Sequence, residues 1–136
     1  MSQSNMSRRS FIAVLTMATA AGVAHCAIAD TGSAKFYPAG ELEDFKQDTY
    51  KKVVLNDGTS VYITKSTADP VGYVALSSKC THKGCQVLWL PSRNVFRCPC
   101  HGGTFDGNGK NVSGPPPSPL KSFKVKVDGS TLMVQP

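Results

Sequence analysis

The sequence predicts an all-β, antiparallel domain, and three observations carry that expectation. After residue 49, short apolar or alternating runs recur with turn residues between them, the spacing of small antiparallel sheets. Asn56-Asp57-Gly58 and Asp128-Gly129 each separate two such runs and supply the positive-φ backbone that tight hairpins need. No stretch of the domain has the apolar spacing of a helix longer than two turns, and no internal repeat is present. A chain of 136 residues suffices for one such domain and is too short for two ordinary ones.

Residues 1–29 read as a processing segment. Ser7-Arg8-Arg9-Ser10-Phe11-Ile12 resembles a twin-arginine export signal, followed by an Ala-rich, modestly apolar run over 11–29 and by Ala27-Ile28-Ala29, an A-x-A cleavage site. Cleavage there starts the mature chain at Asp30 and places the protein in the periplasm or at the outer face of the cytoplasmic membrane. An uncleaved membrane anchor is the rival reading, weakened by Thr16, Thr19, Gly22 and His25 inside the run; a lipidated Cys26 is a third. The twin-arginine route carries folded proteins, which suits a protein whose cofactor is inserted before export.

Residues 30–48 have little periodicity, contain Gly32, Pro38 and Gly40, and carry an acidic patch of Glu41, Glu43 and Asp44, so they read as a linker or edge segment. Residues 49–136 form the domain. Strands are expected over 50–55, 60–65, 73–77, 86–90, 95–97, 121–127 and 131–134. In the sixth, Phe123, Val125 and Val127 alternate with Ser122, Lys124 and Lys126, which predicts one buried and one wet face. Trp89, within the fourth, reads as core rather than as a stacking platform.

Charge excludes several functions. Net charge is +6, but Arg8 and Arg9 precede every acid, and from Asp30 on thirteen basic residues face nine acidic ones with no basic run. That is a solvated surface, so no nucleic-acid partner is expected. With charged residues at 18%, self-repulsion does not prevent a packed core. Neither G-x-x-x-x-G-K-[ST] nor G-x-S-x-G occurs, which removes the usual entry points to phosphate-loop and serine-hydrolase chemistry.

Every Cys and His after the leader falls between residues 80 and 101: Cys80, His82, Cys85, Cys98, Cys100 and His101. They occupy two short segments, Cys80-Thr81-His82-Lys83-Gly84-Cys85 and Cys98-Pro99-Cys100-His101-Gly102-Gly103, each offering a Cys and a His close together plus a second Cys. Such symmetry suits a site assembled from two facing loops. Two structural disulfides would use the cysteines and leave both histidines without a role. A mononuclear zinc site of Cys80, His82, Cys98 and His101 would need spacings tighter than those of zinc fingers and would leave two cysteines over. A [2Fe–2S] cluster with two thiolates on one iron and two imidazoles on the other uses both histidines and leaves two cysteines to pair.

These segments resemble the paired C-T-H-x-G-C and C-P-C-H-G boxes of the Rieske iron–sulfur proteins at every defining position. The resemblance extends over residues 50–134 and includes Gly114-Pro115-Pro116-Pro117, which in that family packs as a third loop beside the cluster. It implies a Rieske-type antiparallel β-sandwich with a cluster-binding subdomain and one [2Fe–2S] cluster per chain. Cys80 and Cys98 would ligate the inner iron, His82 and His101 the outer, and Cys85 and Cys100 would form a disulfide. Gly84 and Gly102 would let backbone amides approach the sulfides, with ordinary turn geometry as the alternative reason for each glycine. Two neutral imidazoles in place of two thiolates remove negative charge from the cluster, which raises its potential by hundreds of millivolts over plant-type ferredoxins. Reduction beside exposed imidazoles couples proton uptake to the electron.

Three positions depart from the quinol-oxidising, high-potential members that the chain resembles. Lys83 stands where those typically carry leucine at an apolar tip. Gly103 and Phe105 stand where a serine hydroxyl bonds a bridging sulfide and a tyrosine hydroxyl bonds a ligand cysteine. Without those donors the potential is expected well below the top of the family's range of about −150 to +300 mV, and Gly103→Ser is expected to raise it. The function implied is an exported one-electron carrier without substrate turnover of its own, working between a donor and a cytochrome of c or b type. The alternatives are the iron–sulfur subunit of a quinol–cytochrome c oxidoreductase, with quinol as donor, and the small subunit of an arsenite-oxidase-like enzyme, with the oxidase large subunit as partner.

Overall fold

In the computed structural model, which describes residues 34–136, ten strands form two antiparallel sheets. The segment read as a leader, with its A-x-A motif, His25 and Cys26, lies outside the described residues. Strands β1 (Tyr37–Glu41), β2 (Lys51–Val54), β3 (Ser60–Lys65), β4 (Tyr73–Ser77), β9 (Ser122–Asp128) and β10 (Thr131–Gln135) make a six-stranded sheet in the order β1-β10-β9-β4-β3-β2. Strands β5 (Leu88–Leu90), β6 (Val95–Arg97), β7 (Thr104–Asp106) and β8 (Asn111–Ser113) make a four-stranded sheet in sequential order. The two helical segments among the described residues, Leu42–Asp44 and Pro91–Arg93, are single turns.

The domain has two apolar cores, and β3 and β4 serve both. Val61 and Ile63 of β3 and Tyr73 and Ala75 of β4 pack with Phe45, Leu55, Leu132 and Val134. Tyr62 and Leu76, one residue out of phase, belong to a second core with Val87, Phe96, Phe105 and Leu120. Side chains alternate across a strand, so a strand sandwiched between two cores is apolar at successive positions, and Val61, Tyr62 and Ile63 are all buried. The first core joins β10 to β3 although β9 and β4 separate them in the sheet. The sheet therefore closes on itself as a sandwich.

Turn chemistry places the hairpins as expected. Between β2 and β3, Gly58 takes φ +84° and the Asp57 carboxylate accepts the Thr59 N–H at 2.8 Å. Gly129, at φ +61°, turns β9 into β10. Three strands had no sequence signal. Tyr37–Glu41, inside the stretch read as linker or edge, is an edge strand on β10 whose register shifts between Pro38 and Gly40. Strands β7 and β8 hold three residues each. The alternation read in β9 is only half realised: Phe123 and Val125 are partly buried, while Val127 is 42% exposed. Strand β9 pairs with β4 only through Phe123 and Ser122, so its far half extends beyond the core and pairs with β10 alone.

Candidate metal centre

The two Cys/His segments are loops at the same end of the small sheet. The first, over 80–85, follows β4 and enters β5 through the bridge between Lys79 and Gln86; the second, over 98–103, links β6 to β7. They close with identical hydrogen-bond spacing. Cys80 N–H donates to Cys85 O (2.7 Å) and Gly84 N–H to Cys80 O (2.9 Å); Cys98 N–H donates to Gly103 O (2.7 Å) and Gly102 N–H to Cys98 O (3.0 Å). Each loop needs one residue of positive φ, and these are Gly84 at +72° and Gly102 at +73°. A Cβ at either would meet nothing within 4 Å. The positive φ of each turn favours glycine at these two positions, and their N–H groups close the loops.

Loop closure brings the predicted residues together. Cys85 and Cys100 form a disulfide with 6.5 Å between their Cα atoms, tying the loops to each other. Cys80 and Cys98 carry free thiols, both buried, as part of the second core. The sulfurs of Cys85, Cys98 and Cys100 lie within 4.8 Å of one another, so the disulfide borders one of those thiols. Burial pushes the Cys80 thiol above its ordinary pKa, and neighbouring Cys98 adds to that rise; the backbone N–H groups of His82 and Lys83, aimed at the Cys80 sulfur, oppose it. The His82 and His101 rings meet edge to face, 4.8 Å between centroids, His82 half-buried and His101 exposed. Nδ1 of His82 is buried and has no hydrogen-bond partner. Lys83 is exposed at the tip of the first loop.

A third loop follows β8 and straps the first two. Thr81 donates its hydroxyl to Ser118 O at 2.6 Å, fastening the first loop. Against the second, Pro116 is buried, and its Cγ and Cδ lie 2.5 and 2.7 Å from where a Cβ on Gly103 would stand. Asn111 Nδ2 donates to Pro116 O at 2.8 Å. Sequence reasoning singled out Pro116 but missed Thr81 and Asn111 as fasteners; nothing in the sequence marks Asn111, since its partner is a backbone carbonyl. Behind the loops, Phe105 and Phe96 are fully buried, and half-buried Trp89 packs on Phe96 and Tyr50 at centroid distances of 4.7 and 4.8 Å. Trp89 is half-buried and packs against the second core, on the side its strand position predicts.

The donor set fits a [2Fe–2S] cluster: two buried thiols, two adjacent imidazoles of which one turns an unpartnered nitrogen inward, and backbone N–H groups aimed at a thiol sulfur. The three-sulfur group of Cys85, Cys98 and Cys100 offers no rival three-ligand site, because two of its sulfurs are bonded to each other.

Comparison with known proteins gives the same result. The family model described as Rieske [2Fe-2S] domain matches residues 35–124. The cytochrome b6-f complex iron-sulfur subunit of Chlorobaculum thiosulfatiphilum is 33% identical over 103 residues, covering 76% of this chain and 50% of that one. Its counterpart in Prochlorococcus marinus (strain MIT 9515) is 31% identical over 153 residues, covering 96% and 85%. The crystal structure of the cyanobacterial plasma membrane Rieske protein from Synechocystis PCC 6803 superposes with a TM-score of 0.60 at 29% identity, covering 73% of this chain and 98% of that one. The chain spans about half the length of the first curated relatives it matches. With paired loops that carry two buried thiols and two adjoining imidazoles, and a family match over residues 35–124, the chain belongs to the Rieske [2Fe–2S] iron–sulfur family.

Proposed function

We propose that this chain is the iron–sulfur subunit of a bc-type quinol-oxidising complex, passing single electrons from a quinol to a cytochrome at the outer face of the cytoplasmic membrane after twin-arginine export. Cys80 and Cys98 would hold one iron of the cluster, and His82 and His101 the other. The observation that carries the reading is the polarity of the site: both thiols are buried, while the two imidazoles adjoin each other with His101 exposed. When bound, the cluster takes up and releases one electron. With its buried, unpartnered Nδ1 turned to the cluster, His82 would keep Nε2 for a hydrogen bond to a quinol hydroxyl or to an acceptor. The relatives named as cytochrome b6-f subunits support the assignment to a complex of that type.

A second reading, a stand-alone carrier between a donor and a c-type cytochrome, is favoured by one observation. Lys83 places a charge at the exposed tip beside His82, where docking into an apolar pocket would strip its water. Isolation of the native protein from solubilised membranes separates the two: a b-type cytochrome in fixed stoichiometry is expected for the subunit, and recovery without one refutes it. For the ligands, Cys80→Ser, His82→Ala, Cys98→Ser and His101→Ala are each expected to abolish the visible absorption and the paramagnetic signal of the reduced cluster. Wild-type protein holding one zinc and no iron would overturn the assignment.

A further inference from the structure

At Gly103 the second loop meets the third, against the ring of Pro116. A Cβ there would stand 2.5 Å from Pro116 Cγ and 2.7 Å from Cδ, distances that real Cβ atoms essentially never show, and 3.9 Å from the Cβ of Cys98. The obstacle is a proline ring, whose closed five-membered geometry cannot swing aside as a long side chain can. Its backbone is also held: Asn111 bonds Pro116 O at 2.8 Å, Thr81 bonds Ser118 O at 2.6 Å, and Leu120 N–H donates to Gly109 O at 2.8 Å. At Gly114 the two loops touch backbone to backbone, since a Cβ there would lie 2.8 Å from Gly103 Cα. The third loop thus occupies the space beside Cys98 into which a side chain at 103 would project.

We propose that Gly103 and Pro116 form a steric lock that keeps any side-chain hydroxyl at position 103 out of the sulfur environment and so holds the reduction potential of the cluster low. The proposal rests on Cys98 being a ligand. Hydrogen bonds to cluster or ligand sulfurs stabilise the added electron and raise the potential. The other hydroxyls of the two loops are committed elsewhere, Thr81 to Ser118 O and Thr104 to Gly102 O at 3.3 Å, and buried Phe105 has none to give. Gly103→Ser alone therefore does not test the effect of a hydroxyl, contrary to the expectation from the sequence: the substitution first has to displace Pro116.

The full chain with its cluster is compared as wild type, Gly103→Ser, Gly103→Ala/Pro116→Ala and Gly103→Ser/Pro116→Ala, by protein-film voltammetry, iron content and thermal midpoint. Gly103→Ser alone is expected to lose cluster and melt lower. The Ser/Ala double variant is expected to regain cluster and to show a potential above that of the Ala/Ala double variant, from which it differs by one hydroxyl. Equal potentials in the two double variants, or a Gly103→Ser single variant with wild-type cluster content and midpoint, would overturn the lock. Thermal midpoints of Gly103→Ala, Pro116→Ala and their double variant form a cycle that needs no cluster. Coupling, with the pair less harmful than the two singles together, supports the lock, and additivity refutes it. Failure of the ligand reading shows separately, as a wild-type protein without the reduced-cluster paramagnetic signal.

Discussion

Removing the disulfide as Cys85→Ala/Cys100→Ala is expected to cost the domain about 3 kcal/mol, because the bond closes a loop of sequence separation 15 and the unfolded chain regains that loop's entropy. The other ties between the loops are smaller. Thr81 to Ser118 is one exposed hydrogen bond, worth about 0.5–1.5 kcal/mol, and it reaches the second loop only through the third. For a domain of this size such a loss lowers the thermal midpoint by roughly 12–24 °C. The assay is thermal unfolding followed by circular dichroism, with loss of visible absorption recorded at the same time. The cluster is expected to assemble in the variant, since neither residue is among its proposed ligands, and to be lost faster on warming. A midpoint within about 5 °C of wild type would refute the argument, since it would mean that the unfolded loop is constrained by something other than this bond. Cys100 is exposed, so the bond is open to solution thiols and an oxidising compartment would preserve it.

Burial of the Tyr50 phenol, with the Asp106 carboxylate adding to it, pushes its pKa from 10 up to about 12. The unfolded chain therefore deprotonates first, and the stability that neutral Tyr50 contributes is intact below pH 10 and drains away as pH rises towards 12. Tyr50→Phe loses the 2.5 Å bond to Gly107 O and is expected to be less stable at neutral pH, but the gap in urea midpoint from wild type should narrow through that alkaline window; a constant gap would exclude the linkage. Replacing Arg8 and Arg9 with lysine is expected to retain the protein in the cytoplasm, and exported material is expected to begin at Asp30; full-length chain recovered in the membrane would favour an anchor over cleavage.

What the sequence disclosed, and what it did not, follows from how far apart the cooperating residues lie. The hairpin β2-β3 and strands β4, β6 and β10 were legible because their apolar residues and their turns are neighbours in the chain. Strand β1 was hidden because Pro38 and Gly40 interrupt its period and its partner, β10, is the last strand of the domain. Strands β7 and β8 were hidden because three residues are too few to show a period. The same rule holds in the site. Metal chemistry demands particular donors at short spacing, so Cys80, His82, Cys98 and His101 stand out as the proposed ligands from two local boxes. That Gly103 has no side chain was equally visible, yet the absence could be read only as a missing donor. Its cause sits thirteen residues on, in a proline whose neighbours give no sign of where its ring points. Complementarity of shape between distant segments leaves no periodic trace, and it is at such contacts that one member of a family can acquire its own potential while keeping every ligand.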